Sequence, residues 1–289
     1  MMKDIVVVSV IHELSLDYLN DYLLSIANQN FRDFDLILFS QLTSEEEVLD
    51  HIMSFSKYFD IHIEETDIAN IPKLREHINN FLVGSDYEVC IFTDSDDVFP
   101  NDYVNKIFNS LRDGLNDVVF SNPNLFKGCV KVNNYFSGQV PYKVDFKFLL
   151  EKNCIGFGNS AVLVDVVDKL LFPKDIMAVD WWFYVNLLFN GSNARFIEDA
   201  NFFYRIHGSN TAGFLNLTEE NILKQLKIKI IHYKNLKRLD SLFSDLYTEY
   251  RALEKKLKDD RQFYNKYINF ILNKYNERKY LWWEPAERW

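Results

Sequence analysis

Glu88-Val89-Cys90-Ile91-Phe92-Thr93 runs directly into Asp94-Ser95-Asp96-Asp97, and this ten-residue stretch decides how the chain is read. Its first part is apolar and rich in β-branched residues, the pattern of a strand buried on both faces of a sheet. Its second part puts three carboxylates at the strand's carboxyl end, where open α/β sheets bind ligands. Alternate acids in an extended segment can converge on one hard divalent cation and leave coordination positions for phosphate oxygens and water. A lone Asp-x-Asp is more often a solvated acidic turn, so the motif gains weight only from its surroundings.

Upstream, strands and helices alternate. Residues 5–11 (IVVVSVI) and 35–39 (DLILF) read as buried strands, and 60–64 (DIHIE) as a third. Apolar residues at Leu16, Leu19, Leu23, Leu24 and Ala27 have helical spacing. Thr43 and Ser44, each followed three residues later by Glu, predict a capped helix start, and Pro72 opens a helix to about Val83. This order predicts an α/β fold: a Rossmann-like, mostly parallel central sheet flanked by helices. Downstream the pattern predicts a helix over 103–111, a strand over 117–121, loops and short strands lining a cleft over 122–160, a helix over 181–189 and a last strand over 200–206. From 218 to 280 there is neither Pro nor Gly, and the spacing is that of amphipathic helices. The predicted organisation is a catalytic domain, 1–215 (1–97 nucleotide-binding, 98–215 acceptor-side), and a helical region, 216–289.

Two companions support the acidic motif. Asp180, beside Trp181 and Trp182 at the head of an apolar helix, has its charged form disfavoured by desolvation, which suits it to accept a proton near neutrality; helix capping is the plainer reading. Arg205 and His207 alternate at a strand end before Gly208, where a cation and an imidazole can hold a diphosphate or complete a metal shell.

In this order the features resemble the inverting glycosyltransferases of family 2, which have the GT-A fold, over roughly residues 4–213. Ser25-Ile26-Ala27-Asn28-Gln29-Asn30-Phe31 is similar to that family's first βα unit, Asp94-Ser95-Asp96 to its DxD motif, Asp180 to the second member of its Glu-Asp pair, and Tyr204-Arg205-Ile206-His207-Gly208-Ser209-Asn210 to its Y-R-x-H-x-x-N segment. The resemblance implies a nucleotide-sugar donor, most readily a UDP-sugar, and a Mn²⁺ or Mg²⁺ cofactor at Asp96 with His207. It implies Asp180 as general base and donor contacts from Val10, His12, Glu13, Ser40, Gln41, Lys73, Arg75, Asp94, Ser95 and Arg205. Acceptor or sugar contacts would come from Asp97, Gly158, Asn159, Trp181 and Trp182. The acceptor would be a hydroxyl of a glycan or lipid-linked molecule in bacterial-type surface polysaccharide or glycoconjugate synthesis.

The chain also departs from the family pattern. Phe39-Ser40-Gln41-Leu42-Thr43 lacks the acidic, glycine-containing base-reading turn, which leaves a CMP-linked or other donor open, as well as a non-catalytic sugar-binding relative. Asp94-x-Asp96-x-Val98 also resembles the nucleophile motif of haloacid-dehalogenase-type phosphatases, but that motif sits on a first strand and here three strands precede it. The glycine-dense Cys154–Ala161 stretch lacks P-loop spacing; it reads as backbone approaching sugar hydroxyls or as a tight turn.

Composition narrows the classes. The 289 residues are 48% apolar and 16% aromatic, with 9 Gly and 6 Pro, which excludes collagen-like and disordered chains. A net charge of −10 argues against a nucleic-acid partner. Residues 216–289 carry 16 Lys and Arg against 11 Asp and Glu, so the acidity lies in the first 215. The basic tail, ending Tyr280-Leu281-Trp282-Trp283-Glu284, is expected either to fold back on the catalytic domain or to meet a membrane surface or protein partner, with homo-oligomerisation also open. Three cysteines without metal spacing and no long apolar run suit a cytoplasmic protein, peripheral at most to the inner face of the membrane.

Overall fold

Seven consecutive apolar or small residues in 5–11 bury every position of the first strand, so that strand can only be central, covered by helices on both sides. The computed structural model of the chain describes residues 3–55, 57–58, 61–208, 210, 217–276 and 278–289. In chain order the parallel half comprises β1 (Ile5–Ile11), α1 (Leu16–Ala27), β2 (Asp35–Gln41), α2 (Glu45–Ile52), β3 (Ile61–Thr66), α3 (Ile71–Val83) and β4 (Val89–Asp94). The N-terminus of α2 is capped by Ser44, whose hydroxyl accepts the Glu47 N–H in a reciprocal capping box. The Thr43 hydroxyl instead donates to the Gln41 carbonyl. The expected start of the third strand at Asp60 lies outside the described residues.

The second half contains α4 (Tyr103–Leu111), β5 (Val118–Lys127), β6 (Val130–Val132), β7 (Lys143–Val144), β8 (Ser160–Leu163), α5 (Val179–Phe189) and β9 (Ala194–Arg205). The sheet order is β3-β2-β1-β4-β8-β5-β9-β7, with β6 on β5. Pairing is parallel among β1 to β4 and between β5 and β9, whereas β8 runs antiparallel between β4 and β5. The sheet is therefore mixed. β8 arises at the end of the glycine-dense stretch, where the sequence suggests a turn; its four residues are too few for a periodic signal.

Three helices follow: α6 (Glu219–Leu236), α7 (Ser241–Asp259) and α8 (Arg261–Tyr275). The expected boundary near 215 lies outside the described residues. Apolar faces of α6, α7 and α8 join the buried cluster that also contains Phe92, Phe157 and Trp181. Polar groups fasten the helices to the same domain: the Tyr233 hydroxyl donates to the Leu150 carbonyl (2.6 Å) and the Tyr250 hydroxyl to Glu151 Oε1 (2.9 Å). Beyond α8, Leu281, Trp282 and Trp283 are all buried. The tail therefore folds back on the domain, and these two tryptophans are not exposed anchors.

Candidate active site

A cleft of about 790 Å³ opens at the carboxyl ends of β1 and β4. Register places Val10 of β1 beside Asp94, the last residue of β4. The turn after β4 closes with the Asp97 N–H on the Asp94 carbonyl (3.2 Å), and the Ser95 hydroxyl donates to the Val10 carbonyl (2.7 Å). This gathers carboxylate oxygens of Asp94, Asp96 and Asp97 within 4.8 Å of one another.

Like charges at that separation resist simultaneous ionisation. Asp94 is pushed up to about 7, by burial first and by Asp96 second, while Arg75 pulls the other way. Asp97 is raised for the same two reasons; its Oδ1 accepts the Arg205 N–H (2.8 Å), and its buried Oδ2 has no hydrogen-bond partner among the described residues. A divalent cation fits this hard oxygen set, because it would relieve the repulsion and give the orphaned oxygen a partner. His207 joins the cluster, with Nε2 2.7 Å from Asp96 Oδ2 and its ring stacked on Tyr18 at 5.3 Å. His12 also lines the cleft, and burial lowers its pKa.

Asp180 lies at the first turn of α5, where its Oδ1 accepts the Trp181 N–H (2.7 Å). Ala178, not Asp180, is the N-cap residue. Burial pushes Asp180 up to about 6, against the pull of that N–H and of Arg75. Arg75 sits between the two acidic centres, 3.9 Å from Asp94 and over the Phe157 ring at 4.4 Å.

The segment Gly156-Phe157-Gly158 passes between them with a glycine close against each, the tighter approach being at Gly158. A Cβ at Gly158 would lie 2.3 Å from Asp94 Oδ2, and one at Gly156 would lie 3.3 Å from Asp180 Oδ2. Gly158 thus makes room for Asp94 while its backbone lines the cleft. Asn159 pins this segment: it accepts the Gly156 N–H (2.7 Å) and donates to the Ser121 and Cys154 carbonyls. Its amide is engaged internally rather than offered to a sugar.

The cleft therefore brings together Val10, His12, Gln41, Arg75, Asp94, Ser95, Asp96, Gly158, Asn159, Asp180 and His207. The other expected site residues lie outside its lining. Glu13 is exposed on a short turn, and Ser40 is buried, donating to the Thr43 carbonyl (2.6 Å). Lys73 is paired with Glu76 at 2.7 Å. Asp97 is buried behind the turn. Arg205, expected at the donor's phosphates, is engaged as a brace: it donates to the Asp96 carbonyl (2.7 Å) and to Asp21 (2.9 Å), between the rings of Tyr18 and Phe126. Trp181 is fully buried, donating to the Leu149 carbonyl (2.6 Å) and stacked on His232 at 3.8 Å. Trp182 is buried against Phe172. Neither tryptophan presents a face on which a ligand could stack. Sequence reasoning missed Trp282 and Trp283, which line the cleft from the far end of the chain; no local pattern signals so distant a contact. Of the 122–160 stretch, only 156–159 reach the cleft.

This arrangement, a β3-β2-β1-β4 parallel half with an acidic turn at the end of β4, is GT-A-like, a fold shared with the solved glycosyltransferases to which the chain is similar. The chain is similar to S. aureus TarS residues 1–349 in complex with UDP-GlcNAc, at 14% identity and a TM-score of 0.62, over 90% of this chain and 74% of that one. Against the longer TarS structure the same share of this chain covers 44%. It is also similar to the mannosyltransferase PcManGT from Pyrobaculum calidifontis in complex with GDP-Man and Mn²⁺, at 13% identity and a TM-score of 0.58, over 82% and 65%. No family model and no curated protein matches the sequence. Among the described residues no helix is long and apolar enough to cross a membrane.

Proposed function

We propose that the protein is a metal-dependent, inverting glycosyltransferase of the family 2 type that moves a sugar from a nucleotide-sugar donor to a hydroxyl acceptor. The observation that carries this reading is one cleft holding two acidic centres of different character, the Asp94–Asp97 cluster and the lone Asp180, separated by two glycines. The nucleotide sugars bound by TarS and by the mannosyltransferase support the donor class. A UDP-sugar is the first choice of donor. A glycan or lipid-linked acceptor of bacterial-type surface polysaccharide or glycoconjugate synthesis is the acceptor class.

Asp94, Asp96 and Asp97, with His207 beside Asp96, would hold a Mn²⁺ or Mg²⁺ ion. When bound, such an ion would supply positive charge to offset the negative charge developing on the leaving diphosphate. Arg205 fixes the turn through the Asp96 carbonyl, and Arg75 adds a cation between the two centres. Val10, His12 and Gln41 form the side of the cleft assigned to the nucleoside. Asp180 takes the proton of the acceptor hydroxyl as its oxygen attacks the anomeric carbon from the face opposite the leaving diphosphate. The C–O bond to the diphosphate breaks as the new one forms, with inversion. A base held near 6 is ionised at neutral pH yet basic enough to accept that proton.

The test is release of the nucleotide from a panel of UDP-, GDP-, CMP- and dTDP-sugars, with and without Mn²⁺, followed by NMR of the product anomer. Metal-dependent transfer with inversion supports the reading; retention, or release that ignores the metal, overturns it.

A further inference from the structure

The last ten residues form a strap that returns from α8 to the acidic cleft. It is tied at several points. The Tyr280 N–H donates to the Tyr135 hydroxyl (3.2 Å), and the Asn153 N–H donates to the Trp282 carbonyl (2.8 Å) in an isolated antiparallel bridge. Further on, Arg288 bonds Glu151 at 2.8 Å and Lys274 pairs with Glu287. Trp282 is thereby held edge-on against Phe136, with ring centroids 5.4 Å apart, and beside Tyr204.

Its position relative to Asp180 matters most. A Cβ built on Gly156 would meet Asp180 Oδ2 and the tip of the Trp282 ring at the same 3.3 Å. The indole edge and the carboxylate therefore flank one glycine. Asn153 links them a second time. It is fully buried, its backbone N–H holds the Trp282 carbonyl, and its side-chain amide lies 3.5 Å from Asp180 Oδ2 while also bonding the Ile155 carbonyl at 2.9 Å. Trp282 is only 8% exposed, too little to serve as a stacking platform for a sugar. It is a wall.

We propose that Trp282 and Asn153 are positioning residues for Asp180, and that the C-terminal strap is needed to complete the acceptor side of the site. This rests on the glycosyltransferase reading for the identity of the reaction. The juxtaposition of strap and carboxylate stands without it. A reacting group displaced by about 1 Å loses on the order of a hundredfold in rate, so the wall is expected to act on turnover rather than on donor binding. The charged and titratable groups facing Asp180 are Arg75 of α3, Asp94 of β4, Tyr184 of α5 and Tyr204 of β9.

Trp282→Ala and the milder Trp282→Phe test the proposal in the full chain, with Leu115→Ala, exposed between α4 and β5 and outside both the strap and the cleft lining, as the control. Two readouts are taken. Calorimetry with the nucleoside diphosphate and Mn²⁺ is compared with kcat. Carbon-13 NMR of the Asp180 carboxyl, assigned with Asp180→Asn, reads its surroundings without any substrate. The expected result is nucleotide affinity within about threefold of wild type, kcat lowered at least about tenfold in Trp282→Ala and less in Trp282→Phe, and an Asp180 signal displaced in both but not in the control. An Asp180 signal unchanged in Trp282→Ala and Trp282→Phe overturns the proposal, as does an equal loss of nucleotide affinity and kcat. If wild type turns over no donor while its Asp180 signal still responds to Trp282, the reaction assignment fails and the positioning role survives.

Discussion

The acidic turn after β4 and the C-terminal strap meet the same cleft by opposite routes. The turn is built from consecutive residues: Asp94, Ser95, Asp96 and Asp97 share one strand end, and the side chains of the last three bond Val10 of β1, His207 just beyond β9 and Arg205 of β9. The strap reaches the cleft from the other end of the chain, through Asn153, Tyr135 and Glu151. Local chemistry is dense in the first and nearly absent in the second. Yet both face Asp180, the turn through the charge of Asp94 and the strap through Trp282 across Gly156.

Substitutions separate the two contributions. The largest effect is expected from Asp180→Asn, which keeps the carboxyl's shape but removes the base: kcat should fall by about 10²–10⁴ in steady-state assays with donor affinity preserved. Near-normal turnover would place the base elsewhere. Asp96→Ala should come next, abolishing the metal dependence of nucleotide binding in calorimetry, because it removes the carboxylate that His207 and the cluster share. Gly158→Ala should weaken donor binding and cost about 1–3 kcal/mol of stability by denaturant unfolding, since its methyl group would overlap Asp94 and must displace it.

pH provides a subtler handle on the same contrast. Asp180 accepts protons only when ionised, so kcat should fall as pH drops through about 6 and hold above it. In the helical region, Lys229 is fully buried beside Tyr250 and lowered to about 7 by desolvation, against the pull of Glu151. The unfolded chain then binds the extra proton between pH 7 and about 10, so stability should rise with pH across that interval. Lys229→Met should flatten the rise in thermal unfolding.

Much of the fold is legible in the sequence because the relevant signals are short-range. Strands β1, β2 and β4 are continuous apolar runs, the Ser44-x-x-Glu47 box marks α2, and the Asp94–Asp97 turn follows its strand directly. The site is legible where sequence neighbours are spatial neighbours. It is misread where a side chain's direction depends on distant packing. By sequence Trp181 is available beside Asp180, but α5 is buried on nearly every side and turns that ring onto His232 of α6. Arg205 reads as a phosphate ligand, but Tyr18 and Phe126 clasp its guanidinium over the acidic turn. Trp282 belongs to a tail for which folding back is one of the two expectations, but nothing in its own stretch of sequence announces Asn153 as its partner.

On the proposed reading, this cleft binds a nucleotide sugar through a metal at the acidic turn. The most direct test is a thermal-shift titration with UDP-, GDP-, CMP- and dTDP-sugars, each with and without Mn²⁺, on wild type and Asp96→Ala. A rise in the unfolding midpoint with one donor, dependent on Mn²⁺ and lost in Asp96→Ala, is the predicted result. No shift with any donor, or a shift indifferent to both the metal and Asp96, would contradict it.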